Sequence, residues 1–246
     1  MNKVMGILTV VLGCAALELE AQADPAAPKK EGSEKSSPYE DSKRTSLKIT
    51  EAESAASKAR KSSATVVSTL KTEDLKGFSE YPTSVQELIR RSLKLTEMNL
   101  GYQYGSSNPS SGGMDCSGTI YHVLQGSGLR GVPRQSDQMY EWIEKTSTFH
   151  RTEGVESLED AKFSALKPGD LLFWTGTYET KGRASGVSHV MLYLGKRAKD
   201  GRPVMFGASD GRSYDDARHN GVSVFDFKLP SKTSKAKFFG YGALPF

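Results

Sequence analysis

SSGGMDCSGTIYHV, residues 110–123, sets a cysteine between an aspartate and a serine, behind a glycine-rich run and ahead of an apolar stretch. Asp115 is a favoured N-cap residue, so CSGTIYHVLQGSG reads as a helix that begins at Cys116 and ends at Gly126 to Gly128. At a first helical turn the unpaired N–H groups and the helix dipole favour a thiolate, which is expected to lower the thiol pKa. The N–H of Cys116 is then free to steady an oxyanion. Gly112 and Gly113 let backbone approach closely, and Gly118 keeps the helix surface thin. A buried structural cysteine requires none of these features. An activated one is expected to alkylate rapidly near pH 6.

The chain has 246 residues and two cysteines, the other being Cys14. Its first 23 residues read as an export signal: Lys3, the apolar core VMGILTVVLGCAAL, and the small-x-small site Ala21-Gln22-Ala23. A competing reading takes VLGC, Val11 to Cys14, as a lipobox whose cysteine is acylated. The apolar run before Cys14 is short and Leu12 fits that pattern poorly, so cleavage after Ala23 is preferred. Structural cysteines outside the cytosol come in pairs. Under either processing route Cys116 is a lone thiol, and its neighbours favour a nucleophile over an inert buried residue.

A thiol nucleophile needs a base, and there are four histidines. His122 lies six residues along the same helix as Cys116, on another side. His150 and His219 sit in polar, loop-like stretches. His189 opens the apolar run HVMLYLG, where a strand holds the ring rigidly while it faces a cleft. Alone it reads as structural; beside Cys116 it is the best base available.

The bulk numbers are compatible with this chemistry. Net charge is +4, with acidic and basic residues mixed along the chain, so no dense cationic face points to nucleic acid. Residues 24–77 are rich in Ser, Ala, Lys and Glu and read as a flexible low-complexity tether. Residues 78–246 suit one domain. Within it, Ser84 and Glu87 have capping-box spacing ahead of the helix pattern Val85, Leu88, Ile89, Ser92, Leu95. KPGD at 167–170 turns into LLFW, and further strands are expected at 189–195, 203–209, 221–227 and 237–244. Helices first and strands after predict an α+β fold with helices packed on an antiparallel sheet. GSGLRG at 126–131 matches a dinucleotide fingerprint, but it follows a helix and precedes Val132-Pro133, so it is a turn. No histidine–cysteine spacing suits a metal, and no cofactor is implied.

GYQYGSSNPSSGGMDCSG, VPRQSDQ, LKPGDLLFW and SHVMLYLG occur in an order and style that resemble the NlpC-type cell-wall peptidases, a papain-like superfamily. The resemblance covers about residues 83–210. It implies that Cys116 attacks an amide and that His189 is the base. It implies too that Tyr102 approaches the cysteine and that Arg134 follows the family's proline. The implied partner is the stem peptide of bacterial peptidoglycan, cut between D-glutamate and the next diamino acid. The third, orienting residue does not carry over: Gly207 falls at its usual position and has no side chain. Ser209, two residues on along the same strand face, is preferred, with Asp210 as the alternative. Asp115, Ser117 and Arg134 are candidates to grip the charged ends of the peptide; read plainly they are a helix cap, a first-turn serine and a salt-bridge arginine.

These expectations describe an exported cysteine endopeptidase of the cell envelope, without a transmembrane span; a monomer is assumed, since the sequence does not give the oligomeric state. Its rivals are an amidase or acyltransferase with the same Cys–His pair, and a catalytically silent wall-binding module.

Overall fold

The computed structural model describes residues 65–246. The export signal, Cys14 and the greater part of the expected tether lie outside the described residues. Three helices, α1 (Thr83–Thr96), α2 (Cys116–Gly126) and α3 (Ser136–Thr146), precede most of the strands. Two short strands, β1 (Gly101–Tyr102) and β2 (Gly113–Met114), pair in parallel beside α2. The main sheet contains β3 (Phe149–Arg151), β4 (Leu171–Thr175), β5 (Val187–Lys196), β6 (Pro203–Tyr214), β7 (Ala217–Asp226) and β8 (Lys237–Gly242). Its order is β3-β8-β4-β5-β6-β7, with every neighbouring pair antiparallel. This is the α+β architecture expected from the order of the patterns, with Cys116 at the start of a helix.

The strands read as nearly continuous apolar runs because both faces of the sheet are covered. On one face Val190, Leu192, Phe206, Val222 and Val224 pack against Leu88, Ile89, Ile120, Val123 and Ile143 of the helices. On the other, Leu172, Trp174, Met191, Met205 and Phe225 meet Phe163, Leu166 and Leu229. Each large side chain buried this fully contributes about 1.5–3 kcal/mol, so two independent clusters grip the strands that carry the site.

Three local readings are revised. Ser84 does not cap α1: the helix begins at Thr83 after Pro82, which offers no side-chain hydrogen bond. Gln86 fixes the entry instead, donating to the Tyr81 carbonyl at 2.8 Å and the Ser79 carbonyl at 3.2 Å. α3 and β3 were not anticipated. Residues 65–77, assigned to the tether by composition, pack on the sheet. Leu70 and Leu75 are buried, and Val224 N–H donates to the Ser68 carbonyl at 3.0 Å.

Candidate active site

Asp115 builds the turn that presents Cys116. With φ −88° and ψ 175° it is extended, and its Oδ1 accepts from Gly118 N–H at 2.5 Å, a true N-cap. Its other acceptor positions are also taken. Gly105 N–H donates to Oδ2 at 2.8 Å, and Arg134 forms a two-point pair, Nη1 to Oδ1 at 3.1 Å and Nη2 to Oδ2 at 2.9 Å. Arg134 Nη1 also donates to Ser117 Oγ at 2.9 Å. These contacts follow the plain reading of the three residues: cap, first-turn serine and salt-bridge arginine form one unit beside Cys116. Gly118 makes the unit possible. A Cβ there would overlap the Ser106 carbonyl oxygen and sit 2.9 Å from both Arg134 Nη2 and Asp115 Oδ1.

Beside this unit is a cavity of about 270 Å³ lined by Tyr102, Tyr104, Gly105, Asp115, Cys116, Ser117, Arg134, Gln135, Tyr178 and Arg183. Tyr102, Asp115, Cys116, Ser117 and Arg134 were expected there. Tyr104, Gln135, Tyr178 and Arg183 were not: Tyr104 and Gln135 sit inside motifs that assigned them no role, and Tyr178 and Arg183 lie in a loop without a periodic or spacing signal. Tyr104 and Tyr178 meet edge to face at 6.5 Å. Arg183 pairs with Asp137 at 3.4 Å and donates to the Val187 carbonyl at 3.3 Å, fastening the 175–187 loop to the start of β5.

His189 does not line this cavity. It lies on β5 paired with Trp174 of β4, the two rings 5.6 Å apart in an edge arrangement. The backbone amides of Val190, the next residue, and of Ser117 act on the Cys116 thiol, pulling its pKa down. The strand therefore reaches the thiol through Val190. His189 Nε2 is buried without a hydrogen-bond partner. Ser209 is 5% exposed, and its Oγ accepts from Gly211 N–H at 3.3 Å within the bulge of β6. Gly207 lies beside Met191, whose Cγ would be 3.0 Å from a Cβ there. Met191 thus takes the room a side chain at 207 would need.

The electrostatics correct one expectation. Burial, and then the Asp115 charge, push the Cys116 thiol up to about 11, against the pull of the Val190 and Ser117 N–H groups and Arg134. Desolvation outweighs the helix terminus, so the resting group is a protonated thiol and rapid alkylation at pH 6 is not expected. Burial, then the Arg212 charge, hold His189 well below its ordinary value, so its imidazole is neutral at pH 7. Burial, then Cys116 and Asp115, raise Tyr102 above the usual tyrosine range. Among the described residues no cluster of three or more His, Cys, Asp or Glu is arranged to hold a metal, and no helix is long and apolar enough to cross a membrane.

Comparison with known proteins agrees with this geometry. The chain is 31% identical over 94 residues to the gamma-DL-glutamyl hydrolase of Bacillus subtilis (strain 168). That match spans 38% of this chain and 18% of the relative's length. The pattern of the NlpC/P60 family matches residues 99–224, from just before Tyr102 to the end region of β7. With just over half of its length matched, including α2, the cavity and the strands beside it, the chain belongs to the NlpC/P60 family.

Proposed function

We infer that this protein is a cysteine endopeptidase of the bacterial cell envelope that hydrolyses peptidoglycan stem peptides at the bond between D-glutamate and the following diamino acid. The observation that carries this reading is the placement of Cys116: first residue of α2, at a cavity wall, its thiol acted on by the backbone amide of the residue next to His189. Family membership and the named activity of the Bacillus relative support the substrate class.

The mechanism is acyl transfer. His189, on the strand whose next residue acts on the thiol, takes the Cys116 proton as the sulphur attacks the carbonyl carbon. The new oxyanion accepts from the Cys116 N–H. Collapse breaks the C–N bond, and the imidazolium returns its proton to the leaving amine. Water then gives a proton to His189, adds to the thioester carbon and releases the acid, restoring the thiol. Proton transfer of this kind supplies about 10²- to 10⁴-fold. Deferring ionisation to the moment of attack suits a thiol pushed up to about 11.

Asp115 and Ser117 act chiefly by fixing the loop and Arg134, whereas Tyr102 and the Tyr104–Tyr178 pair form the cavity wall for the acyl half of the substrate. Ser209 is the orienting residue. Extending the Leu192↔Phe206 register by three residues, past the Met191–Gly207 contact, gives Ser209 as the residue opposite His189, which supports this choice. The protein reaches the envelope through its N-terminal signal and is held by the tether, with cleavage after Ala23 rather than acylation at Cys14.

Mass spectrometry of L-Ala-γ-D-Glu-meso-diaminopimelate incubated with the wild type and with Cys116→Ala tests the reading. Release of diaminopimelate by the wild type alone is expected. Equal release by both proteins would refute it.

A further inference from the structure

Arg183 lies in the loop between β4 and β5 and ties it to two other elements. Its Nη1 stands 3.4 Å from Asp137 Oδ1 and donates to Ser136 Oγ at 3.3 Å, both in the first turn of α3. The same atom donates to the Val187 carbonyl at 3.3 Å, at the start of β5. The side chains of Arg183 and Asp137 are 18% and 12% exposed, so water screens this pair far less than a surface pair. The Lys181–Glu179 pair of the same loop is the contrast, at 3.8 Å with both partners largely in solvent.

What the loop brings to the cavity is Tyr178. Its ring meets Tyr104 edge to face, and the Arg183 guanidinium carbon stands 5.4 Å from its centroid. Burial raises the Tyr178 hydroxyl above its ordinary value; Arg183 pulls it back and Cys116 raises it further, so the hydroxyl lies near both groups. The root of the loop is fastened by Thr177, whose N–H donates to Ser188 Oγ at 3.0 Å and whose Oγ1 stands 2.6 Å from the same oxygen. That tie does not fix the ring, because a tyrosine as exposed as this one changes rotamer on the ps–ns scale. A guanidinium on its face and a second ring against it restrict that motion.

Resting on the reading that this cavity receives the peptide, we propose that Arg183 is a positioning residue. Fixed to Asp137 and Ser136, it holds Tyr178 against Tyr104, and the peptide binds the wall so formed. Arg183 therefore sets the strength of binding through Tyr178 and not by meeting the substrate itself. The Cys116–His189 chemistry lies outside this chain of contacts, and a loss of binding alone raises KM while leaving kcat.

The full-length wild type, Arg183→Gln, Arg183→Lys, Tyr178→Ala and the double variant Arg183→Gln with Tyr178→Ala are compared on L-Ala-γ-D-Glu-meso-diaminopimelate. Arg183→Gln is expected to raise KM by about 10- to 100-fold, the scale of lost hydrogen bonds to a charged group, with kcat held within about twofold. Lysine keeps the charge without the planar fork, so Arg183→Lys is expected to recover part of the loss. Tyr178→Ala is expected to match Arg183→Gln, and the double variant to be no worse than either, since two residues acting through one contact are not additive. Lys181→Gln, expected to behave as the wild type, controls for loop charge. Urea midpoints report the fold; if Arg183→Gln does not fold, Asp137→Asn cuts the same pair from the helix side and takes its place. Alkylation of Cys116 by iodoacetamide at pH 9 runs the cycle without substrate. Opening the wall is expected to speed it about threefold or more in Arg183→Gln and Tyr178→Ala alike, with no further gain in the double variant.

An unchanged KM in Arg183→Gln overturns the proposal. So do losses that add in the double variant, which would mean that Arg183 meets the peptide directly. Should the wild type cleave nothing, the substrate reading fails and the alkylation cycle alone judges Arg183: rates equal to the wild type's, rates that add, or a thiol unmodified in every variant overturn it.

Discussion

Replacing Gly118 by alanine perturbs the site through a single carbon. The new Cβ would fall well under 3.0 Å from the Ser106 carbonyl oxygen, a backbone atom, with Arg134 Nη2 and Asp115 Oδ1 each at 2.9 Å. None of these can withdraw freely. The Ser106 carbonyl accepts from Asp115 N–H at 3.0 Å, and the other two atoms form the cap and the two-point ion pair. Relief therefore means moving the 105–106 loop off α2. An overpacked contact costs about 1–3 kcal/mol and a disturbed N-cap about 0.5–2 kcal/mol, giving roughly 2–4 kcal/mol together. For a folded region of this size that is a fall in Tm of roughly 5–15 °C. Gly112→Ala is the control: φ is +77° there, so backbone strain is retained, but nothing lies within 4 Å of its Cβ. It is expected to cost about 1–2 kcal/mol and to leave the cap intact. Urea unfolding and thermal melts measure both. A Gly118→Ala protein as stable as Gly112→Ala would refute the close packing of loop on helix described above.

Alkylation of Cys116 by iodoacetamide is expected to be slow at pH 6 and to climb through pH 9 toward a midpoint near the raised value of about 11; at pH 7 only about one thiol in 10⁴ is ionised, against a few per cent for an ordinary cysteine. A rate already at plateau by pH 7 would contradict this. Arg134→Gln removes a cation that lowers the thiol pKa and leaves the buried Asp115 unpaired. It is expected to slow alkylation at pH 9 and to cost about 1–2 kcal/mol after allowance for the partial exposure of Arg134, read from urea midpoints. Burial raises Asp170 to about 6, against the pull of the Lys167 N–H and side chain. The native state thus binds the extra proton between about pH 4 and 6, and relative to Asp170→Asn the wild type is expected to gain stability as pH falls across that window. Parallel stability–pH curves for the two proteins would show that the Asp170 carboxyl is not raised.

Local signals were legible wherever a residue's role depends on its chain neighbours. Asp115 caps α2 because a carboxylate three residues before an unpaired N–H reaches it in any helix. The strands were legible from apolar runs bounded by turns, and helices before strands gave the α+β class. Where tertiary context competes with local pattern, the reading slipped. Ser84 has capping-box spacing but yields the helix entry to Gln86. The composition of residues 65–77 hides that Ser68, Leu70 and Leu75 rest on the sheet.

The chemistry of the site divides in the same way. The sequence by itself identifies the thiol, its cap and the histidine-bearing strand, since these follow one another within short motifs. The tertiary structure alone decides the charge state of that thiol, because burial is summed over every element packed around Cys116 and exceeds the local pull of a helix terminus. It alone brings Arg183 to Asp137, Tyr178 to Tyr104, and Arg212 to Trp174. Those partners lie 38 to 74 residues apart or span separate loops, and no short-range pattern encodes a contact made only when strands and loops from distant parts of the chain fold side by side.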